Sequence, residues 1–491
     1  MQNETKTKPI HTFERNNMSN VKRFLGIDIG TTSIKAAVFD KDGKRLGLKN
    51  VDYTLDTNAT TGYIEFNADS YVEMCKKVID ELVEECGEIT ALSVDTQGET
   101  IIFTDEKGTP LYPAIVWLDN RAEAEAEAIK AHFGNELVYN VTGQPEITAG
   151  WPASKVLWMK NHEPEVFSKI KKIFMLEDYI LYKLSDNFVT EPTIQSSTIY
   201  FDVINGKWWD KMLDFVGITE DLLPKVVPSA SVIGEYKGIK VISGTLDQIA
   251  GTIGCGVTSE SIISEMTGTI MAICVMTDKM PKYNPNSIIP CHLHAINGKY
   301  CLILWSSTAG MALKWFKNNF AENLSFRELD ELAKDVTPGS DGLTMLPYFT
   351  GSTMPKYNPD ARASFSGLTL SHTRAHFARA IMEAIAFTLK QNLEYVGDEG
   401  IDEIRITGGG ASSPLWAGIK ADVTGKVLKT LAEGETACLG TAILAAVGVG
   451  EYASVSEATD AVVKTKGEYK PTGIDYTEAY ERYNKLDKLL N

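Results

Sequence analysis

The chain is poor in the features that would staple it or anchor it. It has only seven cysteines in 491 residues, at positions 75, 86, 255, 274, 291, 301 and 438. An odd, scattered set excludes a disulfide frame and reads as reduced intracellular thiols. No apolar run reaches the ~20 residues of a membrane span. The opening "MQNETKTKPIHTFERNN" has no apolar centre, so it is not a secretory signal. Residues 1–20 read as a disordered tail, with Met18 as a second candidate start. Positive charge is also scarce: 48 Lys and Arg face 65 Asp and Glu, a formal net charge of -17. An acidic surface repels nucleic acid and anionic membranes but does not exclude ATP, and with the thiol pattern a cytoplasmic protein is expected. There is no Walker A pattern and no GxGxxG directly after a strand, so P-loop and Rossmann readings lose ground. Short-period repeats and low-complexity segments are absent too.

What is present is ordinary globular material in quantity. Hydrophobic residues make up 44% and charged residues 23%, and 491 residues exceed one hydrophobic core, so two domains are expected. Residues 24–40, "FLGIDIGTTSIKAAVFD", read as strand, small-residue turn and strand, and "DKDG" turns the chain into a third. Apolar residues recur at helical spacing from Ala68 to Glu85, and "ALSVDTQGETIIFTD" returns to strand. "RAEAEAEAIKAHF" alternates strictly, but Ala and Glu are strong helix formers, so a solvated helix is expected. "KVISGTLDQIAGTIGCG" reads as strand then helix. "SIISEMTGTIMAICVMT" gives two strands about a Thr-Gly-Thr turn and resembles the chain's beginning. "EIRITGGGASSPLWAGIKADVTGK" is strand, triple-glycine turn and helix. Two halves, 21–257 and 258–491, each opening on such a hairpin, predict a duplicated α/β architecture with a cleft between.

Gly/Thr turns after strands permit close backbone approach and present N–H and hydroxyl donors, which suits phosphate oxygens. In "DIGTTS" an Asp precedes the turn, where a carboxylate can hold magnesium. Each turn alone is also a plain hairpin turn; three of them after strands are harder to dismiss. "CHLH" at 291–294 has metal-like residue types but lacks a second cluster, so no metal is expected there. The aromatics of "WSSTAGMALKWF" and "KWFKNNF" fall at helical spacing and read as core.

"GWPASKVLWMKNH", residues 150–162, and "ASFSGLTLSHTRAHFARAIME", residues 363–383, resemble the two signatures of the FGGY carbohydrate kinases. Gly150, Pro152, Lys155, Trp158 and Met159 match the first, and Gly367, His376, Phe377, Ala380 and Glu383 the second. The resemblance runs from about Phe24 to the C-terminus. It implies two actin/hexokinase-type (ribonuclease H-like) domains, ATP and Mg2+ as cofactors, a sugar or polyol substrate and a homodimer. It further implies a first phosphate loop at Gly30, Thr31 and Thr32, a second at Gly268 and Thr269, and adenosine contacts at Gly409, Gly410 and Ala411. Asp28 is implied as a magnesium ligand. Asp247 is implied as catalytic base and second metal contact, followed by Gln248 at the substrate.

Phosphoryl transfer to an alcohol needs an acceptor for the hydroxyl proton. Asp247 follows a strand and opens a helix, where the macrodipole is expected to favour its ionised form; an N-cap is the structural alternative. For the sugar, Gln97, Gly98, Glu99 and Trp117 are the candidates. Glycerol kinases carry Gln-Arg-Glu-Thr where this chain has Gln97, Gly98, Glu99 and Thr100. "PLYPAIVWLDNRA" continues the similarity through Trp117, Asp119 and Arg121. The missing arginine, a fixed fork of donors, argues against glycerol. The Met-His-Gly of xylulokinases is missing as well, although Gly150 and Trp151 sit where those enzymes have Gly-Phe. Gly98 is expected to open space an arginine would fill, with Glu99 accepting from sugar hydroxyls and Trp117 on the carbon face. The character is closest to xylulokinase with some glycerol-kinase features, and a ketopentose such as xylulose is the expected acceptor. Glycerol, erythritol, rhamnulose, gluconate and autoinducer-2 are alternatives. A non-transferring actin-like ATPase or sugar sensor is the rival class.

Overall fold

The computed structural model describes residues 22–286 and 288–491. The expected tail and the start at Met18 lie outside the described residues. Two large sheets share one strand order. In the first, Arg45–Asp52, Ser33–Asp40 and Arg23–Ile29 form an antiparallel meander; Ala91–Thr96 and Ile239–Leu246 then add in parallel, and Val232–Tyr236 closes the edge. In the second, Tyr300–Ser306, Met271–Thr277 and Ile262–Thr267 form the meander, extended at its edge by Cys291–Leu293. Glu403–Thr407 and Val427–Leu431 follow in parallel, and Thr465–Tyr469 closes antiparallel. The duplication expected from the two Gly/Thr hairpins is therefore present as topology.

Side-chain alternation explains how the first sheet is covered. Leu25, Ile27 and Ile29, with Leu92 and Val94, point to the helix Ala68–Cys86 and pack on Tyr71, Cys75, Ile79 and Leu82. The opposite face carries Phe24 and Phe39 against Leu439, Ala442 and Ile443 of the helix Thr436–Gly448. Asp28 and Asp95 fall in the same alternation as that second face. The helix comes so close that a Cβ on Gly26 would overlap the Cys438 carbonyl. It crosses the helix Asp247–Cys255 with equal intimacy: Cβ atoms on Gly254 and Gly440 would overlap the carbonyls of Thr436 and Ala250. Two helices nearly 190 residues apart in sequence thus meet backbone to backbone beside the first sheet.

A smaller five-stranded sheet, Asp56–Thr57, Ile64–Phe66, Ala114–Ile115, Ile101–Thr104 and Lys172–Met175, flanks the first half. The expected solvated helix lies at Glu123–Phe133 and buries Glu125, Ala126 and Ile129. With the helix Pro152–His162 it covers the Ile101, Phe103 and Ile115 side of the small sheet. The "CHLH" residues sit in the seam between halves: His292 Nδ1 lies 3.1 Å from Ser196 Oγ, and His294 Nδ1 accepts from the Ile296 amide. Phe316 is buried and Trp305 and Trp315 are half-buried against the core, whereas Phe320 is exposed, so the expectation of core holds for all but the last aromatic of the segment.

Candidate active site

The parallel strands of the first sheet end together, and carboxylates gather at that end. Asp28 is in register with Asp95 on the neighbouring strand, and the charge of Asp28 bears on the Asp95 carboxyl. The Thr441 hydroxyl, on the late helix, donates to Asp95 Oδ2, whereas Asp95 Oδ1 is buried without a partner. Asp247 follows the third parallel strand as the first residue of its helix. The Gln248 amide donates to Asp247 Oδ1 at 2.6 Å. The strand end before it is held from behind: the Leu246 amide donates to Thr193 Oγ1 at 2.9 Å, and that hydroxyl donates to buried Glu191 at 2.6 Å.

Burial pushes the carboxyls of Asp28 and Asp95 above their ordinary range, Asp95 strongly, with the Asp28 charge adding to it. Burial, then the nearby Asp28 carboxylate, lifts Asp247 to about 8; the Gln248 amide opposes this and Glu99 adds to it. The expectation that the helix N-terminus favours the ionised form is thus corrected. One amide does not offset the loss of water and a neighbouring negative charge.

The stretch "TQGET" lies inside, at the far side of this cluster. Gln97 is 3% exposed; its Nε2 donates to the Tyr71 hydroxyl at 3.4 Å, and its Oε1 has no partner. Gly98 is buried, and a Cβ there would stand 3.1 Å from both Leu246 Cδ1 and Ser197 Oγ. The space expected beside Gly98 is therefore already filled. Glu99 adopts a left-handed backbone, φ 55°, and burial raises its carboxyl to about 7 against the charge of Lys155 and a hydrogen bond with Ser197. Trp117 is 38% exposed and donates its ring N–H to Thr31 Oγ1 at 3.0 Å, which ties this loop to the first Gly/Thr turn. In that turn the Gly30 amide closes on the Ser33 carbonyl at 3.0 Å, the Tyr53 hydroxyl donates to the Gly30 carbonyl, and Thr32 is exposed. Gln248, half-buried, receives the Cys274 thiol at 3.9 Å from the second sheet. Gln97, Glu99, Trp117, Thr31, Asp28 and Asp247 form one connected region.

The second half supplies a separate pair of turns. The carbonyls of Gly268 and Thr269 accept from the Gly310 and Ala309 amides at 2.9 and 3.0 Å. The turn Gly409–Ser412 lies against the same strand end, since a Cβ on Gly408 would stand 2.6 Å from the Thr267 carbonyl. Gly268, Thr269, Gly409, Gly410 and Ala411 are thereby brought together around Thr267; none makes a direct hydrogen bond to the Asp28–Asp247 cluster. Behind them, buried Lys420 donates to Glu265 Oε2 at 2.8 Å and to Thr267 Oγ1 at 2.6 Å.

Sequence reasoning assigned no role to Asp95, Thr441 or Lys420. Asp95 carried a readable signal: "SVDTQ" repeats the pattern of "GIDIG", an Asp at the end of an apolar strand. Thr441 and Lys420 carried none, because both act across long sequence separations.

Residues 23–256 match the model for the FGGY family of carbohydrate kinases, N-terminal domain, and residues 273–449 match that for the C-terminal domain. The chain belongs to the FGGY carbohydrate kinases. It is a sugar kinase that uses ATP as phosphoryl donor and a sugar or polyol as acceptor. It is 30% identical over 480 residues to a xylulose kinase of Staphylococcus epidermidis, covering 94% of both chains. It is also 30% identical over 478 residues to a gluconokinase of Bacillus subtilis, covering 92% of both. Among solved structures, ligand-bound xylulose kinase from Lactobacillus acidophilus superimposes with a TM-score of 0.87 at 26% identity, over 96% of this chain and 98% of that one. This FGGY kinase therefore has two actin/hexokinase-type domains, with the carboxylate cluster at the strand ends of the first. No helix among its described residues is long and apolar enough to cross a membrane.

The two signatures of this FGGY kinase each sit beside an Arg–carboxylate pair. In the second, Glu383 is buried and accepts from Arg379 Nε, the Gly339 amide and the Ser340 hydroxyl, at 2.8, 2.9 and 2.8 Å. In the first, Trp158 covers Arg121, whose guanidinium lies 4.9 Å from the indole centroid and grips Asp119 through two bonds of 2.8 and 2.7 Å.

Proposed function

We propose that this kinase phosphorylates a hydroxyl of a ketopentose, with xylulose as the acceptor and Asp247 as general base. The observation that carries the reading is the position of Asp247, whose carboxyl feels both Asp28 on the phosphate side and Glu99 on the sugar side. Its Oδ1 is engaged by the Gln248 amide, so Oδ2 accepts the proton of the reacting hydroxyl. Glu99 and the unpartnered Gln97 Oε1 accept from sugar hydroxyls, Gln248 lines the same side, and the exposed face of Trp117 packs on the carbon skeleton. The backbone of Gly30, Thr31 and Thr32 faces the phosphates from one half, that of Gly268 and Thr269 from the other. Gly409, Gly410 and Ala411 lie against the nucleoside.

Magnesium fits the donor set. Asp28, Asp95 and Asp247 offer only carboxylate oxygens, one Asp95 oxygen is unpartnered, and the crowding that raises their affinity for protons is relieved by a cation. Among the described residues no group of three or more His, Cys, Asp or Glu side chains is placed to hold a metal ion; magnesium needs only one or two carboxylates when phosphate and water complete its shell. Asp28 would hold it, with Asp247 as second contact. When bound, magnesium neutralises charge on the phosphate oxygens.

The gluconokinase relative favours gluconate as a second reading. Charge speaks for the neutral ketose: the two cations packed behind the sugar loop are already engaged, Lys155 by carbonyls and Arg121 by Asp119 and Glu65. ADP release with MgATP should be measured against xylulose, ribulose, gluconate, glycerol and an acceptor-free blank. Xylulose should stand clearly above the rest. A preference for gluconate would replace the acceptor, and release indifferent to every acceptor would replace transfer by plain ATP hydrolysis.

A further inference from the structure

We infer that Lys155 is the positioning residue of the sugar loop: its ammonium pins together the two backbone segments that present Glu99 and Trp117. Lys155 is fully buried in the helix Pro152–His162. Its Nζ donates to the Glu99 carbonyl at 2.8 Å and to the Val116 carbonyl at 3.0 Å. The Trp117 amide donates to Thr100 Oγ1 at 3.2 Å, which closes a ring through residues 99, 155, 116, 117 and 100.

Two physical arguments separate this from ordinary core packing. A buried ammonium is costly to desolvate, and a methionine of similar length would fill the same volume without that cost. Burial indeed pulls Lys155 down to about 7, with the charges of Glu99 and Asp119 opposing. Glu99 in turn holds a left-handed backbone that a non-glycine residue adopts only at a cost, so something must over-determine it. The Lys155 ammonium, donating to the Glu99 carbonyl, helps hold it there.

The assignment rests on the sugar-loop reading above, and the test keeps the two apart. Lys155→Met, Lys155→Gln and Glu99→Ala should be made in the full chain. Hydrogen exchange needs no acceptor: in Lys155→Met, amides at 97–101 and 116–118 should exchange about tenfold faster or more, while 268–270 and 408–412 stay unchanged. With the acceptor the wild type turns over, the sugar KM should rise about tenfold or more and the ATP KM stay within about twofold. Lys155→Gln, which keeps a donor, should fall between. Unchanged exchange, or sugar and ATP constants rising together, overturns the inference. So does failure of both Lys155 variants to fold, because Lys155 then supports the whole domain. If Glu99→Ala raises the sugar KM and Lys155→Met does not, only the positioning role is lost. If Glu99→Ala leaves it untouched, the sugar-loop reading fails with it.

Discussion

Asp28 and Glu265 lie on equivalent strands of the two sheets, each the first strand of its meander and each beside a parallel neighbour. Glu265 is fully buried and neutralised by buried Lys420, with the Thr267 hydroxyl completing the group. Asp28 meets another carboxyl, Asp95, and feels Asp247 nearby. The same topology therefore ends one sheet in a closed ion pair and the other in an open, proton-hungry cluster. A carboxylate with its own cation has no need of a ligand. The cation across the hairpin from Asp28, Lys35, is already engaged by Glu435, so this cluster keeps its capacity for a metal ion and for a proton.

The largest effect that tests this contrast is expected at Asp247. Asp247→Asn should lower turnover by about 10²–10⁴ while ADP still binds as in the wild type, read by titration beside steady-state rates. Near-normal turnover would deprive the open cluster of its base. On the closed side, Lys420→Met should act on stability instead. Removing the cation strands Glu265 in the interior, at a cost of about 3–5 kcal/mol in denaturant unfolding, and pairing it with Glu265→Gln should recover much of the loss. A neutral Lys420→Met would mean the two halves are not opposites.

The smallest effect concerns pH. Asp178, in the first half, is buried and raised from 3.8 to about 8, chiefly by desolvation. The folded state then binds its proton where the unfolded state has released it, so stability is greatest at low pH and falls as pH rises from about 4 to about 8, levelling above. Thermal unfolding of Asp178→Asn across that window should show a flatter profile than the wild type. Identical slopes would assign the dependence to other groups.

Much of this was legible before the structure. The hairpins at 24–40 and 262–277, the strand and helix around Asp247 and the triple-glycine turn all follow from local pattern, because turn glycines and apolar alternation act over a few residues. Gly98 misled because the room at a glycine depends on what faces it, here Leu246 and Ser197. Asp247 misled because its helix terminus is visible in sequence, whereas its burial and the Asp28 charge are not. Lys155 was legible as a signature residue, but its carbonyl partners were not.

Composition, strand–turn–strand patterning and two signature segments were enough by themselves to determine the fold class, the family and the positions where phosphate and sugar loops were to be sought. Only the tertiary structure decided which carboxylates share a site, which one has a cation of its own, and in which direction each ionisation moves. Secondary-structure propensity and turn chemistry are short-ranged along the chain, so they can be read from neighbours. Burial and Coulomb interaction depend on distance in space, and Thr441 on Asp95 or Lys420 on Glu265 comes about only when the sheets and the crossing helices have assembled.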